Sequence, residues 1–277
     1  MNGLNFWLRQ IAGWTMSLLA GWSPLAVLLL VSIGLGIVMT VVFRFTSNQR
    51  KLRRLADLSR AEVLAIRLFK DEPVTMFRAL GRLLRHSAKR LWYSLPPMLA
   101  MFVPFVLLLT HLSLWYEYRP LQVGELAVVE LQLAEDAWTQ YQNIAPETPR
   151  ALAVETKPLR DDKEKSIWWR IQALQPTPAV LRWQFGAHEV EKEVVVAKHA
   201  AAFVPVSSRR PGAGWLDRVF NPGEDALGAA SPVRGITIYH EQRSTPIFGR
   251  NVPWWLTLIA VSIVTALVMR PLVRVQF

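Results

Sequence analysis

The apolar and polar positions of the chain fall into blocks. Residues 24–43 run 20 positions without a charged side chain, 95–115 run 21 with His111 as the only titratable group, and 252–269 run 18. A helix rising about 1.5 Å per residue needs roughly this length to cross a hydrocarbon core of about 30 Å. Transmembrane helices are therefore expected at 24–43, 95–115 and 252–269; a buried core helix is the alternative for any one such run. Ahead of the first, Leu4, Trp7, Leu8, Ile11, Trp14 and Leu18 recur near helical spacing. That pattern makes 1–23 an interfacial amphipathic segment or, alternatively, a ragged extension of the first span. Only Arg9 lies on the amino side of the first run and no small-x-small site precedes the basic block, so a cleaved leader is not expected.

Between the first two runs the period changes. Leu52, Leu55, Ile66 and Phe69 mark one apolar stripe, and Phe77, Leu80, Leu84 and Leu91 mark another at the near-heptad spacing of a coiled coil. Pro73 separates them, disfavouring helix at Glu72 and suiting the first turn of a new one. Segment 44–94 is thus expected as a helical hairpin. In 116–251 the pattern shortens again. "GELAVVELQL", "RALAVET", "SIWWRIQAL", "AVLRWQF", "HEVEKEVVV" and "GITIYHEQ" alternate in part and are β-branched or aromatic. They predict a β-rich, sandwich-like domain with Trp169, Ile171, Leu181, Trp183, Val194 and Val196 in its core. Residues 209–232 read as a long loop that skims a membrane through Trp215 and Phe220.

Composition sharpens this picture. The chain has 277 residues, 52% apolar and only 19% charged, with mean hydropathy +0.21. Ordinary soluble domains carry about 25% charge. The net charge of +11 is concentrated: 44–94 holds 13 Lys/Arg against Asp57, Glu62, Asp71 and Glu72, whereas 116–251 holds 16 cations and 17 anions. The tail 270–277 adds Arg270 and Arg274. Basic short segments stay cytoplasmic, so 44–94 and the tail 270–277 are expected inside, and 1–23 and 116–251 outside. The fold class is an α+β membrane protein with three transmembrane helices, a cytoplasmic helical hairpin and an extracytoplasmic β domain, in a bacterial inner membrane. The hairpin cations suit either a solvated topology signal or a surface for anionic lipid, ribosomal RNA or an incoming chain.

Candidate chemistry changes little. Cysteine is absent, which removes disulfides, thiolate metal sites and catalytic thiols. His86, His111, His188, His199 and His240 show no zinc-type spacing, and no phosphate-binding loop or nucleophile elbow occurs. Glu189, Glu191 and Glu193 share one strand face, as on a solvated edge; Asp161 and Asp162 sit in a charged turn. No enzyme, catalytic residue, metal or cofactor is expected.

The order of parts resembles the YidC/Oxa/Get-type insertase superfamily, in its three-span branch of archaeal YidC-like proteins and the insertase subunit of the ER membrane complex. The matching stretches are "PLAVLLLVSIGLGIVMTVVFRFTSNQRKLRRL", "RLWYSLPPMLAMFVPFVLLL" and "PWWLTLIAVSIVTALVMRPL", about half of the chain. Relatives of that branch have a short connection between spans two and three, where this chain inserts 116–251. The resemblance implies a membrane protein insertase or chaperone that guides client transmembrane segments into the bilayer through a groove open to the cytoplasm. Arg44 is the nearest match to the family's groove arginine, and Thr40, Thr110, His111, Ser262 and Thr265 would add polarity to that client-binding groove; the alternative is a helix-packing hydroxyl for the Thr and Ser residues and an interfacial histidine near the outer leaflet for His111. Arg50, Lys51, Arg53, Arg54, Arg82, Arg85, Lys89 and Arg90 would form the hairpin's basic surface. Implied partners are the lipid bilayer, client membrane proteins and possible ribosome or membrane-subunit contacts, with no DNA. The competing expectation is a non-enzymatic envelope scaffold or accessory subunit that binds partners through the β domain; a membrane enzyme borrowing a partner's active site is a third.

Overall fold

The computed structural model describes residues 7, 10, 13–15, 22–69, 71–199, 202–247 and 249–273. Of the expected amphipathic stripe in 1–23, Leu4, Leu8, Ile11 and Leu18 lie outside these residues, as does Arg274 of the tail. Trp7 and Trp14 are helical and exposed. The chain divides into two compact units. One holds Leu25–Val106 and the chain from Trp255 onward; the other holds Leu107–Trp254 with the residues up to Pro24.

The helical unit is built from α1 (Pro24–Thr46) from Leu25, α2 (Gln49–Leu68), α3 (Pro73–Tyr116) as far as Val106, and α6 (Trp254–Val273) from Trp255. Three of these, α1, α3 and α6, are long and apolar enough to cross a bilayer, which marks an integral membrane protein. The α1–α2 junction is short because Asn48 caps α2, its side chain accepting a bond from the Lys51 N–H at 3.2 Å. Pro73 opens α3, where its missing N–H costs nothing.

The hairpin's second arm and the second span form one continuous helix. Helix α3 runs 44 residues through Pro96, Pro97 and Pro104, so the expected 94/95 boundary is not an element boundary. Prolines persist in apolar helices because neighbouring groups re-satisfy the freed carbonyls. Arms α2 and α3 are antiparallel about Glu72. Arg82 Nε donates to Glu62 at 2.8 Å, and the Lys51 ammonium lies 4.9 Å from the Tyr93 ring centroid. Each pair is centred on Glu72. The stripe that shelters against α2 is not the most hydrophobic one. Ala79 is buried and Met76, Leu83 and His86 are half-buried, whereas Phe77, Leu80, Leu84 and Leu91 are exposed. Where the helix ends meet, Phe43, Leu52 and Val273 form a small core with Met101 and Met269.

The strand-rich unit contains β1 (Leu121–Gln122), β2 (Leu126–Leu133), α4 (Glu135–Tyr141), β3 (Leu152–Val154), β4 (Leu159–Asp161), β5 (Ser166–Ala173), β6 (Ala179–Phe185), β7 (His188–Val194), β8 (Val196–Ala197), β9 (Arg209–Arg210), α5 (Trp215–Phe220), β10 (Val233–Tyr239), β11 (Pro246–Ile247) and β12 (Arg250–Asn251). The main sheet is antiparallel in the order β3-β5-β2-β10-β9, with β4 also on β5; β6 and β7 form a separate hairpin. Gly186 at φ +60 occupies the first central position of the β6–β7 turn, where a type II′ hairpin turn needs glycine. Alternation places Val129, Leu131, Ile167, Trp169, Ile171 and Ile238 inward from the main sheet, and Leu181, Trp183, Phe185, Val190 and Val194 inward from the hairpin. All six residues expected in the core are there, with Trp169 and Trp183 centroids 6.1 Å apart. Residues 209–232 are more ordered than a loop: they include β9 and α5, whose Trp215, Leu216 and Phe220 are exposed.

Candidate client-binding and basic surfaces

Of the six residues expected to line a groove, Thr40, Arg44, Ser262 and Thr265 belong to the helical unit, and Thr110 and His111 to the strand-rich unit. At Gly36 α1 and α6 approach closely, since a Cβ built there would stand 2.6 Å from the Ser262 carbonyl oxygen and 2.7 Å from Thr265 Cβ. Small residues allow such approach, and in lipid it is packing that drives it. Thr40 lies one turn beyond Gly36 and is buried. The hydroxyls of Thr40, Ser262 and Thr265 donate to Gly36, Ile259 and Val261 carbonyls at 2.7, 2.9 and 2.8 Å. Their polarity is thus spent within their own helices.

Arg44 stands one turn after Thr40 but is exposed, its guanidinium 6.0 Å from the Phe45 ring centroid. Thr110 donates to Leu107 O at 3.0 Å, and His111 Nδ1 lies 2.8 Å from the same oxygen. His111 also borders a cavity of about 160 Å³ whose wall includes Trp115, Glu193 and Ser207. Nearby, Tyr116 donates to Pro24 O at 3.0 Å and stacks on Trp254 at 5.9 Å. Such aromatic clusters at helix ends suit a membrane–water boundary.

On the hairpin, Arg50, Lys51, Arg53, Arg54, Arg82, Arg85 and Lys89 are exposed and Arg90 is half-buried. The hydrogen bond from Arg82 holds the Glu62 carboxyl below its ordinary value. A second feature has no counterpart in the expected set. Ala56, Ser59, Arg60, Val63, Leu64, Arg67, Arg90 and Arg270 line a cavity of about 540 Å³ in the helical unit.

The strand-rich unit ties down its charges instead. Lys192 is fully buried and donates to Glu224, to Ser207 O at 2.7 Å and to Glu193 O at 3.3 Å. Burial pushes its ammonium below the ordinary lysine value, with Glu224 opposing. Arg119 grips Glu125 through two bonds at 2.8 and 2.9 Å. Burial pushes the Glu125 carboxyl up, but Arg119 and the Gln122 N–H outweigh it and hold it below the ordinary value. His240 is buried with neither ring nitrogen hydrogen-bonded, and burial lowers it to about 4. Glu189 and Glu191 pair with Arg182 at 3.3 and 2.9 Å on an exposed face. Asp161 accepts the Lys163 N–H and Asp162 the Trp138 indole N–H, as turn residues do.

Among the described residues no group of three His, Cys, Asp or Glu could hold a metal ion. In comparison with known proteins, no family model and no curated protein matches this chain.

Proposed function

We propose that this chain is a membrane protein insertase or membrane chaperone of the YidC/Oxa/Get type, with no catalytic site of its own. The observation that carries the reading is the surface of the hairpin. Its two arms close on each other through Glu62–Arg82 and Lys51–Tyr93, yet Phe77, Leu80, Leu84 and Leu91 stay exposed at near-heptad spacing beside Arg85 and Lys89. An apolar stripe edged by cations suits capture of an apolar client segment with acidic flanks. Charge segregation supports placing 44–94 and the tail in the cytoplasm and the sandwich-like 116–251 domain outside, in a bacterial inner membrane. Arg44, exposed at the inner end of α1, would attract client carboxylates where the dielectric is lower than in water.

The close contact of Gly36 with Ser262 and Thr265 favours a second reading. Spans packed this tightly suit a scaffold or accessory subunit whose strand-rich unit meets an envelope partner. Purified full-length protein in proteoliposomes, offered a short-tailed client with one span, separates the two. Insertion above empty liposomes, slowed when Phe77, Leu84 and Leu91 are changed to Ser, supports the insertase. Insertion no better than empty liposomes for several clients supports the scaffold.

A further inference from the structure

Helix α5 carries three large apolar side chains that the core of the strand-rich unit does not use. Trp215, Leu216 and Phe220 are 66%, 50% and 55% exposed, and none of the six residues of α5 is buried. At about 100° per residue these three share one arc of the helix with Val219, and Asp217 lies outside it. The polar side is tied down. The Asp217 carboxylate accepts from the Gly212 N–H at 2.7 Å, from Arg209 Nε at 3.0 Å and from Asn221 Nδ2 at 2.8 Å. Those bonds hold α5 to β9 and the flanking turns with its apolar face turned away from the domain. A single exposed apolar residue is ordinary, but three on one face of so short a helix call for a partner.

Position identifies that partner. Pro24 opens α1, Tyr116 ends α3 and Trp254 opens α6. The three meet, Tyr116 donating to Pro24 O and stacking on Trp254. Their contact marks the level at which the apolar helices leave the hydrocarbon. Leu114 lies two residues inside it on α3, about 3 Å deeper. The chain leaving α5 packs on this residue, since a Cβ built at Gly223 would stand 2.9 Å from Leu114 Cδ2. Beside it, the Val206 N–H donates to Leu114 O at 2.7 Å. Phe220 precedes Gly223 by three residues, so their Cα atoms are at most about 11 Å apart. Helix α5 is therefore within reach of the headgroup layer.

We infer that α5 is a membrane-interface anchor, with Trp215, Leu216 and Phe220 entering the headgroup–acyl boundary of the leaflet where α3 ends at Tyr116. Aromatic rings favour that boundary, and Asp217 is kept out of lipid by its bonds to the protein. The anchor gives the strand-rich unit a hold on the bilayer besides its covalent connections to the spans. The inference rests on the helices crossing a membrane and is independent of client insertion.

The chain has no cysteine, so a spin label on Leu216→Cys tests this in full-length protein reconstituted into phosphatidylcholine–phosphatidylglycerol liposomes. Power saturation with oxygen, which concentrates in lipid, and with a nickel chelate, which stays in water, reports the depth of the label. It should lie about 5–10 Å below the phosphates. A label on Gln175→Cys, at an exposed site after β5, should remain in water. Changing Trp215 and Phe220 together to Ser should raise nickel access at 216 several-fold, to the level seen at 175. The depth at 216 with both aromatics in place decides the matter even if the Ser variant does not fold. Nickel access at 216 equal to that at 175 overturns the anchor, as does a depth that the Ser pair leaves unchanged. A label closed to both reagents assigns the face to a second copy of the chain and overturns the lipid assignment.

Discussion

In the strand-rich unit Lys192 is fully buried and bonded to three oxygens; in the helical unit Arg50, Arg54 and Arg85 carry the same charge and stand exposed. Apolar groups divide the same way. The main sheet and the β6–β7 hairpin share one continuous core, whereas the spanning windows of α1, α3 and α6 are only 33%, 17% and 11% buried within the protein. A unit that pairs its buried charge and gathers its apolar residues into one core draws its stability from its own contacts. A unit that leaves both uncovered is completed by its surroundings, here lipid and, in the proposed function, a client. Mutations should therefore damage the first unit through its folding and the second through its associations.

The largest effects are expected in the strand-rich core. Trp183→Ala should cost about 3–5 kcal/mol, as removal of a buried aromatic does. Trp183→Phe should cost far less, because the indole N–H has no hydrogen-bond partner to lose. Glu224→Ala should be comparably damaging, about 3–5 kcal/mol, since it leaves Lys192 charged, buried and short of its carboxylate. Adding Lys192→Met should recover most of that loss. Denaturant titration of the full chain in detergent, followed by near-ultraviolet circular dichroism, measures all four variants. A mild Trp183→Ala would break the claim that this unit stands on its own core.

Acid should destabilise the same unit. His240 titrates at about 4 when folded against 6.5 as its ordinary value, so the unfolded chain takes up a proton first as pH falls. Stability should drop between about pH 6.5 and pH 4 by up to about 3 kcal/mol. His240→Phe should flatten that slope, and denaturation midpoints across this range check it.

Smaller effects are expected between the helices. Gly36→Ala should loosen the α1–α6 contact by about 1–3 kcal/mol because its Cβ meets backbone and Thr265. Gly34→Ala, with nothing within 4 Å, should be silent. Thermal melting in one detergent compares the two; equal effects would mean α1 and α6 do not approach at Gly36.

Much of this division was legible in the pattern of side chains. Period-2 alternation located β2, β3, β5, β6, β7 and β10, since one face of each must be apolar to make the core. Glu189, Glu191 and Glu193 were readable as an outward face, and that reading already obliges Lys192 to point inward. Helix α4 was missed although acids open it at Glu135 and Asp136. Seven residues carry too little periodicity to stand out. The hairpin misled for a physical reason: its seam is made of Met76, Ala79, Leu83 and His86, while its most hydrophobic stripe faces outward. Nothing in the sequence separates Gly34 from Gly36, two glycines of one apolar run; only the partner helix distinguishes them. The arginine cavity was not legible at all, because Arg60, Arg67, Arg90 and Arg270 meet only through the packing of three helices.

The proposed function puts the hairpin 44–94 in the cytoplasm and 116–251 outside, and that placement has a direct test. The chain has no cysteine, so single cysteines at exposed Ala61 on α2 and exposed Gln175 after β5 report on each unit alone. Treated with a membrane-impermeant thiol reagent, intact cells should label the cysteine at 175 at once and the one at 61 only after permeabilisation. Labelling of both positions in intact cells, or of neither until permeabilisation, would contradict the assignment.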